Sequence, residues 1–221
     1  MNLAIFDLDY TLLPVDSDFE WGQFLARIGA VDSEAFERRN KEFFEQYLAG
    51  TLDPVEYLQF AFGTLAQFQR GQLDAWHARF MEEVILPLRP AALELVDKHR
   101  RAGDLTVIIT ATNSFVTRPI AERFNVDHLI AAEPEVNAQG QMTGRIRGTP
   151  THGQGKVNHL HAWLASRGAS LEQFARSTFY SDSHNDLPLL MKVTDPVATN
   201  PNEKLEAHAR QHGWPVLNLF A

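Results

Sequence analysis

The chain has 221 residues, of which 44% are hydrophobic and 22% charged, proportions typical of a globular protein. Lys and Arg number 20 against 28 Asp and Glu, a net charge of −8 (20 − 28), which argues against general binding to nucleic acids or anionic membranes. The absence of cysteine excludes disulfides, thiolate metal sites and cysteine nucleophiles. Because there is no apolar run of membrane-spanning length and no basic segment before the first acids, we expect a cytoplasmic protein.

The first predicted element is a short buried strand, Leu3–Phe6, which runs straight into the carboxylates of Asp7 and Asp9. Open parallel sheets bind ligands at the carboxyl ends of their strands. There, one carboxylate can attack an electrophile and a second can transfer a proton. Strand-end acids also cap helices and form turns, so the pair alone leaves both interpretations open.

Residues 19–85 contain no strand pattern, and their apolar residues recur at helical spacing. Trp21, Phe24 and Leu25 share one such face, and Asp53-Pro54 resembles a capped helix start. We predict about four amphipathic helices that pack as a bundle. Residues 15–86 are therefore expected to form an all-α cap domain, and residues 1–14 with 87–221 the core domain.

After this insertion, short β-branched runs alternate with helical patterns, which favours an α/β fold with a Rossmann-like, doubly wound parallel sheet. The predicted strands are Thr106–Ile109, His128–Ala131, Ser177–Tyr180 and Thr194–Ala198, and the predicted helices are Ala91–Arg101, Phe115–Phe124 and Lys156–Ser166. Residues 133–148 are typical of a hairpin or a long loop.

Three further motifs could carry chemistry. Thr110 and Ala111 end the second core strand, where a hydroxyl and backbone N–H groups could bind a phosphoryl oxygen. Lys156, flanked by glycine at a helix start, could supply a cation. Taken singly, Thr110 could merely cap the next helix, as Thr112 and Asn113 are expected to do, and the lysine could be solvated.

The third of these motifs, Asp182-Ser183-His184-Asn185-Asp186, again follows a strand-like run. Together with Asp7 and Asp9, its two acids would form an oxygen-rich site suited to Mg²⁺, a hard cation that keeps waters and bridges to phosphate.

In this order, Asp-x-Asp-x-Thr, strand-end Thr, Lys and Asp-x-x-x-Asp closely resemble the motifs of the haloacid dehalogenase-like phosphatase superfamily. The resemblance covers the whole chain, and the helical insertion looks like the first cap type of the phosphoserine-phosphatase-like branch. Four stretches are most similar to a bacterial group that includes histidinol-phosphate phosphatase-like hydrolases: Asp16–Asp18, Asp182-Ser183, Leu187–Leu190 and Asn200-Pro201.

This resemblance implies a phosphatase in which Asp7 attacks phosphorus and becomes a transient aspartyl phosphate. Asp9 would protonate the leaving alkoxide and then deprotonate the hydrolytic water. The Asp7 carboxylate, the Asp9 backbone carbonyl and Asp182 would hold Mg²⁺. Thr11 and Pro14 would begin a flap that leads into the cap.

The remaining site residues would support these groups. Thr110, Ala111 and Lys156 would bind phosphoryl oxygens. Asp186, with Asn185 beside it, would position metal-bound waters or Lys156.

The substrate implied is a small phosphomonoester. Asp16 matches the place where phosphoserine phosphatases carry an acid for the substrate amine, although Asp16 or Asp18 could instead cap the first cap helix. The segment Tyr57–Gly71 lacks the Arg-x-Ser-like motif that those enzymes use on the substrate carboxylate, and Arg70 is its only basic residue. An unpaired buried carboxylate is costly, so this difference favours an amino-alcohol phosphate such as histidinol phosphate.

Three alternatives stay open: a phosphoserine phosphatase, a phosphotransferase or mutase using the same intermediate, and a non-catalytic phosphometabolite-binding module. Neither a nucleic acid nor a membrane partner is expected, and the oligomeric state is not predicted.

Overall fold

The computed structural model describes residues 1–220. Its strands are β1 (Leu3–Phe6), β2 (Leu105–Asn113), β3 (His128–Ala132), β4 (Pro134–Val136), β5 (Met142–Ile146), β6 (Ser177–Ser181), β7 (Asp195–Thr199) and β8 (Val216–Leu217). Its helices are α1 (Ser17–Arg27), α2 (Ser33–Ala49), α3 (Pro54–Leu65), α4 (Arg70–Phe80), α5 (Pro90–Arg101), α6 (Ser114–Phe124), α7 (Gln154–Ser166), α8 (Leu187–Leu190) and α9 (Glu203–His212). A π-helical turn, Met81–Ile85, follows α4, and 3₁₀ turns cover Leu171–Gln173 and His184–Asp186. Among these residues no helix is both long and apolar enough to cross a membrane.

The main sheet has six strands in the order β3-β2-β1-β6-β7-β8, and all of its pairings are parallel. Strand β1 lies between β2 and β6, with Phe6 opposite Ile108 on one side and Tyr180 on the other. The predicted doubly wound α/β fold is confirmed. This register places Asp7, one residue after Phe6, beside the end of β6 and next to the part of β2 that leads into Thr110.

Helices cover both faces of the sheet, as the alternation of side chains along β1 requires. Leu3 and Ile5 pack into a cluster with residues of α7, α8 and α9. Ala4 and Phe6 point to the other face, where a second cluster includes residues of α5 and α6. All four side chains of β1 are buried, which fixes the position of the two acids that follow it.

Helices α1–α4 occupy the stretch between β1 and α5, as the apolar periodicity predicted. Asp53 caps α3, its side chain accepting the N–H groups of Val55 and Glu56, with proline in the first turn. The Trp21 and Phe80 rings meet edge to face and belong to the same buried cluster as Phe6 of the sheet. The division into a cap of residues 15–86 and a core stays a prediction.

The segment left open as a hairpin or a loop is an antiparallel hairpin, β4–β5. It packs against α3, and a Cβ added to Gly144 would lie in ordinary contact with the helix, 3.4 Å from the Gly63 Cα. The hairpin therefore contacts α3, a helix of the predicted cap, although it comes from the α/β part of the chain.

Candidate active site

A cleft lies between the carboxyl edge of the sheet and helices α1–α3. Its empty space, counted to the open mouth, is about 750 Å³. Acids and a lysine form its sheet side, and aromatic rings form much of its cap side. The sheet-side residues include Asp7, Asp9, Thr110, Lys156 and Asp186, and the cap-side residues include Phe19, Phe43, Phe44, Tyr47 and Tyr57.

Lys156 joins two carboxylates at the bottom of this cleft. Its Nζ donates to Asp7 Oδ1 at 2.9 Å and to Asp186 Oδ2 at 2.7 Å, and its side chain is only 3% exposed. Asp186 also accepts the Ser181 hydroxyl at 2.7 Å. Burial raises the pKa of Asp7, and the Lys156 ammonium opposes that rise. The lysine thus holds the predicted nucleophile and is itself oriented by Asp186.

Asp9 is held at both carboxylate oxygens. Oδ1 accepts the Ser17 backbone N–H at 2.7 Å, at the start of α1, and Oδ2 accepts the Thr112 hydroxyl at 2.8 Å. Burial, reinforced by the charge of Asp16, raises the Asp9 pKa to about 7, against the lowering effect of these hydrogen bonds. A carboxyl group with that pKa can both donate and accept a proton near neutral pH.

Thr11 joins the first and last motifs. Its hydroxyl accepts the Asp182 backbone N–H at 2.9 Å and donates to Asp182 Oδ1 at 3.2 Å. Thr11 is predicted to begin the flap that leads into the cap, whereas the structure buries this threonine fully. It fixes the distance between the end of β1 and Asp182, across 171 residues of sequence.

Thr110, Ala111 and Asn185 also line the cleft. Thr110 Oγ1 accepts the Thr112 N–H at 3.1 Å, so its own hydroxyl hydrogen is available to a ligand. Asn185 Nδ2 is buried with no hydrogen-bond partner among residues 1–220. The predicted phosphate-binding groups therefore lie in one cleft with Asp7.

The strand-end pattern predicts Thr112 and Asn113 only as helix-capping residues. Asn113 does cap α6, since its side chain accepts the Val116 N–H at 3.0 Å. Thr112 instead binds Asp9. Its position two residues after Thr110, on the same side of β2, was the available signal.

Asp16 is the N-cap of α1, as the alternative interpretation held. Its Oδ1 accepts the N–H groups of Asp18 and Phe19 at 3.0 and 2.9 Å. It also lines the cleft, and burial raises its pKa to about 7. The predicted contact with a substrate amine therefore stays a prediction, and it would use a carboxylate that already caps a helix.

The donor set at the sheet edge fits Mg²⁺. Asp7 and Asp182 are buried carboxylates whose hydrogen bonds involve only Oδ1, and burial raises the pKa of both. Within residues 1–220 no three His, Asp or Glu side chains converge on one point as a metal site. The predicted site needs only two carboxylates, because the Asp9 carbonyl and waters complete it, and Mg²⁺ is commonly bound in this way.

The sequence pattern of the haloacid dehalogenase-like hydrolases matches residues 4–191. The chain belongs to this family. Its resemblance to the family, drawn from the motifs alone, is thereby confirmed.

Three proteins resemble this hydrolase over nearly its whole length. A histidinol-phosphatase of Neisseria meningitidis is 43% identical over 219 residues, which cover 99% of both chains. A crystal structure from Bordetella pertussis, described as a protein of unknown function, superimposes with a TM-score of 0.94 at 49% identity, covering 99% of each chain. A substrate-bound phosphoserine phosphatase has the same fold, with a TM-score of 0.71, 18% identity and coverage of 98% of this chain and 92% of that one. The hydrolase is a phosphatase.

The glycine before Lys156 leads to a first prediction. A Cβ on Gly155 would lie 2.1 Å from the Pro150 carbonyl oxygen, so the loop before α7 would have to move. We expect Gly155→Ala to lower the free energy of unfolding by about 1–3 kcal/mol, measured by denaturant titration, and to lower phosphate release.

Gly63→Ala is the matched control, because its Cβ would meet no atom within 4 Å on helix α3. That variant should gain about 0.5–1 kcal/mol, as replacement of a helix-interior glycine usually does. Equal stabilities for the two variants would contradict the predicted clash.

Asp18 leads to a prediction about pH. Burial raises its pKa to about 6 from 3.8, while the nearby Tyr57 and Asn113 side chains lower it. The folded state therefore binds this proton more tightly than the unfolded state, so stability is lost as the pH rises from about 4 to about 6. Asp18→Asn should raise the free energy of unfolding by on the order of 2 kcal/mol at pH 8, and by much less at pH 4.

This variant keeps the hydrogen bond that Asn113 Nδ2 donates to Oδ1 of residue 18, at 3.0 Å in the native protein. Asp53→Asn, at the exposed N-cap of α3, is the control and should change stability by less than about 0.5 kcal/mol at either pH. If Asp18→Asn raised the free energy of unfolding as much at pH 4 as at pH 8, the predicted cost of burying a charged Asp18 would be contradicted.

Proposed function

We propose that this phosphatase is a Mg²⁺-dependent phosphomonoesterase that works through an aspartyl phosphate on Asp7. The observation that carries the proposal is the arrangement at the end of β1. A buried carboxylate lies 2.9 Å from a buried lysine, and a second carboxyl group, held at both oxygens, follows two residues later.

In the first half-reaction an Asp7 oxygen forms a bond to phosphorus while the ester P–O bond breaks. Asp9 gives its proton to the leaving alkoxide, so the alcohol departs neutral. In the second half-reaction Asp9 takes a proton from water as that water attacks phosphorus. The phosphate leaves, and the Asp7 carboxylate is restored.

Positive charge is needed because an anionic carboxylate must approach a phosphate dianion. The repulsion amounts to several kcal/mol at about 4 Å with an effective dielectric constant of about 20. Lys156, the Thr110 hydroxyl and the Ala111 backbone would bind phosphoryl oxygens. Bound Mg²⁺, held by Asp7, Asp182 and the Asp9 carbonyl, would neutralise phosphate charge.

The substrate proposed is a small amine-bearing phosphomonoester such as histidinol phosphate. Asp16 would receive the amine. Among the described residues that line the cleft there is no arginine to pair with a substrate carboxylate, and Lys156 is engaged by two acids. The 43% identity to a protein named histidinol-phosphatase supports the same substrate class.

A phosphate-release assay tests this proposal. Histidinol phosphate, phosphoserine, sugar phosphates and nucleotides are compared at equal concentration, with Mg²⁺ and with excess EDTA. We expect the fastest release from histidinol phosphate and loss of release in EDTA. Undiminished turnover in EDTA would contradict the proposed dependence on Mg²⁺. Faster release from phosphoserine would favour a phosphoserine phosphatase. A phosphorylated acceptor in place of free phosphate would indicate a phosphotransferase.

A further inference from the structure

Helix α1 carries three buried polar atoms that make no hydrogen bond within residues 1–220: Ser17 Oγ, Asp18 Oδ2 and Trp21 Nε1. Only Asp18 and Trp21 line a cavity beside the proposed catalytic groups. Asp18 is 5% exposed and Trp21 is 4% exposed. Within residues 1–220, Asp18 Oδ2 and Trp21 Nε1 are both buried without a hydrogen bond. The Tyr57 hydroxyl lies near enough to Asp18 to lower its pKa, but it makes no hydrogen bond of ordinary geometry to Oδ2. Buried polar groups are normally satisfied, so such a pair indicates a missing ligand or water.

Both side chains line one small cavity beside the active-site cleft. This side cavity has about 290 Å³ of empty space, counted to its open side. Asp18, Asn40 and Tyr57 line both the side cavity and the cleft, so the two spaces adjoin. Residues 18 and 21 are three apart on α1, a spacing that places them on the same face of the helix.

The close approach of α1 and α2 shapes this wall. A Cβ on Gly22 would lie 2.5 Å from Asn40 Nδ2, and that amide donates to the Phe19 carbonyl at 3.2 Å. Glycine at position 22 thus allows Asn40 to occupy the boundary between the two spaces.

The two unpaired atoms are chemically opposite. A carboxylate oxygen accepts a hydrogen bond, and an indole N–H can only donate one. A neutral imidazole ring carries one N–H donor and one ring nitrogen that accepts, so it can satisfy both atoms at once. An amine satisfies only the carboxylate, and a hydrocarbon ring satisfies neither.

We propose that Asp18 and Trp21 form a second polar subsite that recognises a heteroaromatic N–H and ring nitrogen in the organic half of the substrate. This inference rests on the proposed function and deepens it. Asp16 receives the amine near the ester, Asp18 Oδ2 accepts the ring N–H, and Trp21 Nε1 donates to the other ring nitrogen. The aromatic cap residues around the cleft provide flat apolar contact for the ring.

The test compares two esters that differ only in the ring. Histidinol phosphate carries the amine and an imidazole, while phenylalaninol phosphate carries the same amine and a phenyl ring. For Asp18→Asn we expect kcat/KM to fall about 10- to 100-fold for histidinol phosphate and by less than about 3-fold for phenylalaninol phosphate. Trp21→Phe removes the N–H donor together with part of the buried ring. It should lower kcat/KM for histidinol phosphate relative to phenylalaninol phosphate by about 3- to 10-fold.

Asp16→Asn is the matched control, because it removes the same charge two residues away and asparagine caps a helix as well as aspartate does. It should lower kcat/KM for both esters alike. Asp18→Asn is expected to be the more stable of the two subsite variants, because it removes a buried charge. If Trp21→Phe does not fold, which thermal melting would show, Asp18→Asn carries the comparison.

Equal losses for both esters in Asp18→Asn and Trp21→Phe would overturn the subsite and assign a structural role to these residues. Unchanged kinetics in both variants would also overturn it and leave a buried water between the two atoms. If wild-type protein hydrolyses neither ester, the proposed function fails as well. If every variant still hydrolyses both esters with the wild-type ratio of kcat/KM values, the subsite is contradicted while the proposed function stands.

Discussion

Asp7→Asn should reduce phosphate release by on the order of 10⁴-fold or more, because the amide cannot form the proposed phosphoenzyme. The same variant should bind the substrate with an affinity near that of the wild type. The amide oxygen that replaces the carboxylate can still accept a hydrogen bond from Lys156, which donates to native Asp7 at 2.9 Å and also contacts Asp186. The fold around the site is therefore expected to persist.

Two measurements check this prediction: single-turnover phosphate release, and calorimetric titration with the ester. Asp74→Asn, the same chemical change on the exposed face of α4, is the control and should leave both unchanged. Undiminished turnover by Asp7→Asn would contradict the assignment of Asp7 as the nucleophile. A wild-type protein that binds the ester without turnover would instead indicate a phosphometabolite-binding module.

Lys156→Met should abolish activity and lower the free energy of unfolding by about 3–5 kcal/mol, the usual result of removing one partner from a buried ion pair. The lysine is paired with Asp7 and Asp186, and all three side chains are at most 5% exposed. Without the ammonium, two carboxylates would share a buried site with no cation from the protein.

The loss of stability should depend on pH and on Mg²⁺. Without Lys156 the two acids favour protonation, so the deficit should shrink in acid as they are neutralised. Added Mg²⁺ should restore part of the lost stability if Asp7 and Asp182 bind the ion. Denaturant titrations at several pH values, with and without Mg²⁺, provide the measurement.

Lys192→Met, at an exposed position, is the matched control and should change stability by less than about 0.5 kcal/mol. If Lys156→Met were as stable as this control, the ion pairs of Lys156 would contribute nothing to the stability of the fold. The lysine would then serve the substrate alone.

Most of the fold could be predicted from local pattern. The strand Leu3–Phe6 was predicted to the residue, since four buried apolar residues end at two acids. The helix starting at Pro54 was indicated by its cap and proline. Element ends were less certain: β2 continues to Asn113, beyond the predicted Ile109, because residues 110–113 lie in the sheet and also bind Asp9 and cap α6.

The site was predictable as a set of motifs but not as a set of contacts. Thr11 was assigned to a flap and Thr112 to a cap, yet each binds an acid of a distant motif. Threonine at a strand end fits a cap, a turn or a buried hydrogen bond equally well. Only the partner across the sheet distinguishes these roles.

The sequence by itself determined the kind of chemistry this phosphatase can perform, because the order of its acids, threonine and lysine along the chain is a local property. It also determined the α/β class, since the periods of apolar residues depend on neighbours a few positions apart. The tertiary structure alone decided which groups meet: Lys156 reaches Asp7 across 149 residues, and Asp18 meets Asn113 across 95. It also decided which buried atoms have no partner, because hydrogen bonding depends on distances that close only when the chain has folded.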